Sequence, residues 1–222
     1  MEKVLVLVEG QTEERFVFDV LDPHLQTFSR CAVPKVLVTK RPRAGRPQTG
    51  GQFKGGVLSY AQVKGDLGRL LTDTSATIVT TMLDYYAIPQ DFPGFATQPK
   101  GSDPYASVRH LEAELAKDMG DRRFVPYLCL HEFEALIFTD PAQCKWIFGA
   151  SAAKVLTSVR DAFPTPEHID DDPKTAPSKR ILQEFPEYEK PVHGNLAILD
   201  IGLDAVRAAC RHFDAWVSRL ER

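Results

Sequence analysis

Short apolar β-branched runs alternate with stretches of helical period along this chain, and no other feature narrows the fold as far. The first run, VLVLV at 4–8, is followed over 12–28 by apolar residues at helical spacing: Phe16, Val17, Val20, Leu21 and Leu25. The spacing predicts a strand, a turn and a helix. A strand signal returns at 35–39, a helix at 58–71 with Leu67, Leu70 and Leu71 facing a core, a strand at 76–83, a helix at 105–119 and a fourth strand at 124–130. Strands separated by helices pair in parallel through right-handed crossovers, so the expected fold is α/β: a mostly parallel four-stranded sheet flanked by helices.

After residue 130 the strand signal stops. Helices are expected at 131–138, 141–148, 152–162 and 203–220, with Phe133, Leu136, Ile137 and Phe138 in the core and the acidic, proline-bearing 163–177 as a surface loop. A chain of 222 residues supplies one sizeable core but hardly two. The expected organisation is therefore an α/β core over 1–139 and a C-terminal helical extension over 140–222, packed on it as a single compact unit.

With 43% hydrophobic and 26% charged residues the composition is that of an ordinary globular protein. The apolar run at 4–8 is too short to cross a bilayer, and Glu9 stands where a signal peptide needs small residues. The four cysteines Cys31, Cys129, Cys144 and Cys210 are far apart with no CxxC spacing, which points away from a zinc site and toward reduced thiols. The expected location is the cytoplasm, with no membrane partner. A net charge of -3 exerts no global pull on nucleic acid, so such binding would have to come from local patches.

Parallel sheets bind ligands beyond the carboxyl ends of their strands. On the predicted scaffold Glu9 ends strand one, Asp84 ends strand three, and Glu132 and Glu134 follow strand four. Buried carboxylates must be satisfied by water, donors or a cation. Several at one edge favour a hard divalent ion, Mg²⁺ or Mn²⁺, held through oxygen. Glu13, four residues beyond Glu9 in the first helical turn, is placed to reach the same ion. The plainer alternative is that Glu13 and Glu14 complement the first helix's dipole and Asp84 caps a turn.

The segments VEGQTEERF and MLDYY resemble the Toprim fold, which places a metal-binding glutamate after strand one and a DxD motif after strand three. Together with LDYYAIPQDFPG, HEFEALIF, PSKRI and IGLDAVRAACRHFDAWVSRL they resemble, over nearly the whole chain, a prokaryotic family of Toprim-like domains of unknown function. Members of that family are often encoded beside ATPases like those of the overcoming-lysogenization-defect nucleases. The resemblance implies a Toprim-like fold, metal-dependent phosphodiester cleavage, a setting of phage or plasmid defence and an ATPase partner of the AAA or ABC type. It makes Glu9 the first Toprim acid and Asp84 the first aspartate of DxD. Tyr86 stands where the second aspartate belongs, and a neutral phenol is a poor Mg²⁺ ligand. Glu13, Glu132 or Glu134 would then complete the site. Two residues apart, Glu132 and Glu134 point in different directions on a helix, and Glu134 is the preferred ligand.

Other residues suit the handling of a polyanion. The glycine-rich stretch KRPRAGRPQTGGQFKGG carries Lys40, Arg41, Arg43, Arg46 and Lys54 without an acid, a composition that serves either a phosphate clamp or a solvated basic loop. Ser178, Lys179 and Arg180 open a predicted helix, where either backbone amides and cations bind a phosphate, with Lys179 or Arg180 offsetting developing charge, or Ser178 is an N-cap beside ordinary surface cations. His131 is either a general base or a structural hydrogen bonder. Tyr85 and Trp216 serve either as stacking surfaces for bases or as core. No GxxxxGK[ST] loop is present, so the chain's own sequence gives no support for nucleotide hydrolysis.

The sequence thus supports a nuclease acting on DNA or RNA. Two alternatives remain: a non-catalytic Toprim-like subunit that binds nucleic acid or an ATPase, and, more remotely, primase-like synthesis. Whether the chain forms a homo-oligomer is left open.

Overall fold

A computed structural model describes residues 1–37, 59–99, 101, 103–169, 172 and 174–222. Strands β1 (Glu2–Val8), β2 (Arg30–Val36), β3 (Ala76–Asp84), β4 (Phe124–Val125) and β5 (Leu128–Cys129) form one parallel sheet. Their order is β2-β1-β3-β4, with β5 also pairing with β3. The helices are α1 (Gln11–Phe16), α2 (Asp22–Gln26), α3 (Tyr60–Leu71), α4 (Pro104–Met119), α5 (Lys145–Phe148), α6 (Ala150–Asp161), α7 (Pro177–Glu184), α8 (Asn195–Ile201), α9 (Leu203–Ala209) and α10 (Arg211–Leu220). The chain is thus α/β, with a mostly parallel sheet flanked by helices and a helical C-terminal region.

The alternation inside β1 explains its unbroken apolar run. Val4, Val6 and Val8 join a core with Phe16, Leu21, Phe133, Phe213 and Trp216, while Leu5 and Leu7 join a second core with Val63, Leu67, Leu111 and Leu115. A strand covered on both faces needs apolar residues at every position. Each buried branched side chain stabilises the fold by roughly 1.5–3 kcal/mol. The C-terminal helices cover one face; α3 and α4 cover the other.

Several boundaries differ from expectation, each for a local reason. The second strand begins at Arg30 rather than 35 and contains Pro34, which an edge strand tolerates because its outer side needs no donor. The expected fourth strand is divided into β4 and β5 by Pro126 and Tyr127, so the sheet has five strand segments rather than four. Across that interruption the Tyr127 N–H donates to Thr81 Oγ1 at 2.9 Å, and the same hydroxyl donates to the Tyr127 carbonyl at 2.8 Å. A threonine side chain thereby takes the place of a strand in the ladder. The first helix contains a π-helical turn, Val17–Leu21, just before Pro23. The residues of 131–138 form a 3-10 segment, Phe133–Thr139, and the core positions expected there are buried.

The expected last helix breaks at Cys210 into α9 and α10, and the break is stabilised from the segment expected to be a surface loop. Glu167, buried within that segment, accepts from Phe213 N at 3.0 Å, His212 N at 3.1 Å and the Tyr105 hydroxyl at 2.9 Å. A carboxylate on the first-turn amides of α10 satisfies donors that a continuous helix would have paired internally. Ile169 is also fully buried, so that stretch belongs partly to the interior. Among the described residues no helix is long and apolar enough to cross a membrane, and the four cysteines are free thiols.

Candidate metal centre at the sheet edge

β1 and β3 run in parallel, so Glu9 and Asp84 leave the sheet at the same edge, and β5 brings the chain from Leu130 to Glu134 to that edge through its pairing with β3. Asp84 is buried, with Oδ1 accepting from Phe133 N at 3.0 Å. That bond fastens the HEFE segment to the end of β3. A second link joins them, since Tyr86 N donates to the His131 carbonyl at 3.1 Å. His131 itself holds a left-handed backbone with φ of 61°, an uncommon conformation for a residue with a side chain and one that gathers at functional turns.

Glu13 occupies the third position of α1, and its Oε2 accepts from Gly10 N at 3.0 Å as half of a capping box. Its other oxygen, Oε1, faces Lys190 Nζ at 3.9 Å. Glu134 is fully buried; its Oε2 stands 3.0 Å from Lys190 Nζ and its Oε1 3.5 Å from the Tyr188 hydroxyl. Lys190 Nζ also donates to Asp84 Oδ2 at 3.3 Å. One ammonium therefore lies among carboxylates from α1, the end of β3 and the 3-10 segment. Glu9 adjoins the group, more than nine-tenths buried, with no hydrogen-bond partner for Oε2 among the described residues.

The electrostatics follow from burying so many acids together. Burial, then the charges of Asp84 and Glu13, push the pKa of Glu9 up to about 8. Burial likewise pushes Glu134 up to about 8 against the pull of Lys190. Burial also raises Glu13 and Glu132. For Lys190, burial disfavours the ammonium, yet Asp84, Glu134, Glu13 and Glu132 outweigh it and hold the group well above the ordinary lysine range. The surrounding acids thus favour the charged form of Lys190, while burial favours the protonated forms of Glu9 and Glu134.

Of the two acids in HEFE, Glu134 enters the cluster and Glu132 does not contact Lys190 directly. Both Glu132 oxygens are engaged by Ser178 at the start of α7, Oε1 by its backbone N–H and Oε2 by its hydroxyl at 3.1 Å. The helix start that suits a phosphate already holds an anion from the chain itself. Lys179 is exposed beside it. Arg180 turns elsewhere: its Nε donates to the Thr175 carbonyl at 2.5 Å and its guanidinium lies over the Phe163 ring. Tyr86 is 53% exposed, and burial of part of its ring together with Asp84 pushes the phenol up to about 12, so it stays neutral. Trp216 belongs to the core, stacked on Tyr127 at 4.3 Å and donating to Thr80 Oγ1 at 2.8 Å. Tyr85 is half-buried, its hydroxyl donating to Gln98. Arg41, Arg43, Arg46 and Lys54 lie outside the described residues.

Lys190 is the participant that sequence reasoning missed. It starts a π-helical turn, Lys190–Gly194, that runs into α8. The turn is anchored to the first helix through Asn195 Nδ2, which donates to the Thr12 carbonyl at 3.0 Å. Gly194 lets Tyr188 lie against this turn, because a Cβ there would stand 2.9 Å from the Tyr188 hydroxyl. The one sequence cue is a lysine before Pro191 at a helix start, which is too common to mark a site.

The donor set is chemically suited to Mg²⁺ or Mn²⁺: hard carboxylate oxygens, with Oε2 of Glu9 and Oε2 of Glu134 lacking hydrogen-bond partners among the described residues and a protein cation already standing among them. As the side chains are placed, no three His, Cys, Asp or Glu residues among those described close on a metal position. Residues 8–221 match the family described as "Domain of unknown function (DUF4276)". No curated protein and no solved structure matches the chain.

Proposed function

The chain belongs to the DUF4276 family, whose description assigns no activity, and from its carboxylate cluster we propose a Mg²⁺- or Mn²⁺-dependent nuclease that acts on the phosphodiesters of DNA or RNA. The observation that carries this reading is the convergence of Glu13, Asp84 and Glu134, from separate elements, on one cation position at the carboxyl edge of a parallel sheet, with the buried Glu9 close enough to feel their charges. The likeness of Glu9 and Asp84 to the Toprim acids agrees with it, and the Toprim relationship is part of this proposal.

When bound, the ion supplies Lewis acidity toward the scissile phosphate and an activated water. The protein's part is to hold and orient. Glu9, Asp84, Glu13 and Glu134 provide oxygen ligands, with Glu13 and Glu134 standing in for the second DxD aspartate that Tyr86 replaces. Asp84 also fixes the HEFE segment through the Phe133 amide. Lys179, exposed at the start of α7, offsets charge on the substrate, and His131, fixed in its left-handed turn, orients a phosphate oxygen or the attacking water. The basic residues Arg41, Arg43, Arg46 and Lys54 add sequence-independent affinity for the polyanion. By the same resemblance the setting is cytoplasmic defence against phage or plasmids with an AAA- or ABC-type ATPase as partner.

A second reading, a subunit that binds nucleic acid or the ATPase without cleaving, is favoured by two observations: Tyr86 in the DxD position, and a lysine in the cation position. Incubating the protein with supercoiled plasmid, linear DNA and RNA in Mg²⁺ or Mn²⁺, with and without chelator, separates the two. Nuclease function requires chelator-sensitive cleavage that Glu9→Gln and Asp84→Asn each reduce by at least a hundredfold. Equal cleavage by parent and variants would remove the assigned site, and binding without cleavage would favour the subunit.

A further inference from the structure

Carboxylates taken out of water need a compensating cation, and in this protein that cation is covalently part of the chain. Lys190 Nζ reaches Glu134 at 3.0 Å, Asp84 at 3.3 Å and Glu13 at 3.9 Å, all from one side chain that remains 32% accessible. The ammonium stands among three carboxylates, and the side chain as a whole is only partly buried. The backbone beneath it is fixed: His193 N and Val192 N both donate to the Glu189 carbonyl, and Asn195 ties the turn to Thr12. Only the four-carbon stem has to move for the ammonium to leave.

Around it the acids face their own local partners. Asp84 Oδ1 takes the Phe133 amide, Glu13 Oε2 the Gly10 amide, and Glu134 Oε1 faces Tyr188. The oxygens left over are those turned to Lys190, together with the unpartnered Oε2 of Glu9. An ammonium offers three donors and one charge, whereas a hard divalent ion offers two charges and takes six or more oxygens. Both cannot occupy the same space.

Resting on the metal-site reading above, we propose that Lys190 is the resident counter-ion of this cluster and that a divalent ion enters by displacing its ammonium toward solvent. The lysine keeps the carboxylates assembled when no ion is present and sets a threshold concentration for loading. Metal affinity is therefore lower than that of the same carboxylates without the lysine, and occupancy by one cation excludes the other.

Two measurements on the full chain without nucleic acid test this. In calorimetric titration with MnCl₂, Lys190→Met should bind at least tenfold more tightly than the parent, with circular dichroism confirming that the variant is folded. In the unaltered protein, pulse acylation of lysines read by mass spectrometry should show Lys190 labelling rise severalfold on saturation with Mn²⁺, while surface Lys64 stays constant. The labelling result stands by itself if the variant fails to fold. Equal or weaker affinity in a folded variant overturns the proposal. So does unchanged Lys190 labelling in a parent that binds Mn²⁺, and in either case the metal site survives. If neither protein binds Mn²⁺, the metal-site reading falls and the displacement falls with it.

Discussion

Glu9 and Glu134 each carry a buried oxygen with no hydrogen-bond partner among the described residues, and only that of Glu134 lies within ion-pair distance of Lys190. The pKa of Glu9 is raised from the ordinary carboxylate value to about 8, as is that of Glu134. For a carboxyl raised on folding, the stabilising contribution is fully present below the unfolded value and is lost as pH rises through the folded one. Without metal, the cluster should therefore weaken the fold progressively from about pH 4.5 to above pH 8. Glu9→Gln removes that loss at one position. Urea denaturation across this range should find the variant ahead of the parent by about 1 kcal/mol or more at alkaline pH, with the gap closing toward pH 4.5. A constant gap would mean that Glu9 is not strained by its neighbours. Glu9 and Asp84 were legible in the sequence because strand ends are legible. The preference for Glu134 over Glu132 was argued from helical spacing, but the segment is a 3-10 turn, and what separates the two acids is the capture of Glu132 by Ser178. Lys190 was not legible, because it meets Asp84 across 106 positions of sequence.

At the scale of elements, the alternation of apolar runs conveyed the parallel sheet, but the interruptions came from side chains that replace backbone partners. Pro126 halts the fourth strand, and Thr81 bridges the gap with its hydroxyl. No periodicity signals that. The division between α9 and α10 has the same character, since Leu203, Val206, Phe213 and Val217 read as one helix while Glu167, far upstream, holds the amides of His212 and Phe213. Glu167→Ala should leave these buried donors and the Tyr105 hydroxyl without their acceptor, at a cost of at least about 2 kcal/mol. Chemical denaturation of the variant measures this directly. A loss below about 0.5 kcal/mol would mean that the helix break needs no external cap.

For the whole molecule, the C-terminal helical region does more than cover the sheet. It packs Phe213, Trp216 and Val217 against β1 valines and delivers Lys190 into the carboxylate cluster, so the cluster draws on both halves of the chain. Composition and net charge gave the size of the core but nothing of this arrangement, because a contact between distant helices and a sheet edge leaves no local pattern. The basic stretch belongs to this scale too, since with a net charge of -3 any affinity for nucleic acid depends on local cations. Replacing Arg41, Arg43 and Arg46 with Ala should weaken binding to unrelated sequences alike. The log-log salt slope should flatten by about 0.7–0.9 for each lost phosphate contact, as measured by fluorescence anisotropy over a salt series. An unchanged slope would make that stretch an ordinary solvated surface.

The claim on which the rest depends is that the sheet-edge carboxylates hold a divalent ion, and anomalous diffraction from crystals soaked in Mn²⁺ addresses it without reliance on activity. The expected result is an anomalous peak bonded to oxygens of Glu9, Asp84 and at least one of Glu13 and Glu134, with the Lys190 ammonium withdrawn from among them. Crystals that show no peak at this edge at saturating Mn²⁺, with Lys190 still lying between Asp84 and Glu134, would contradict it.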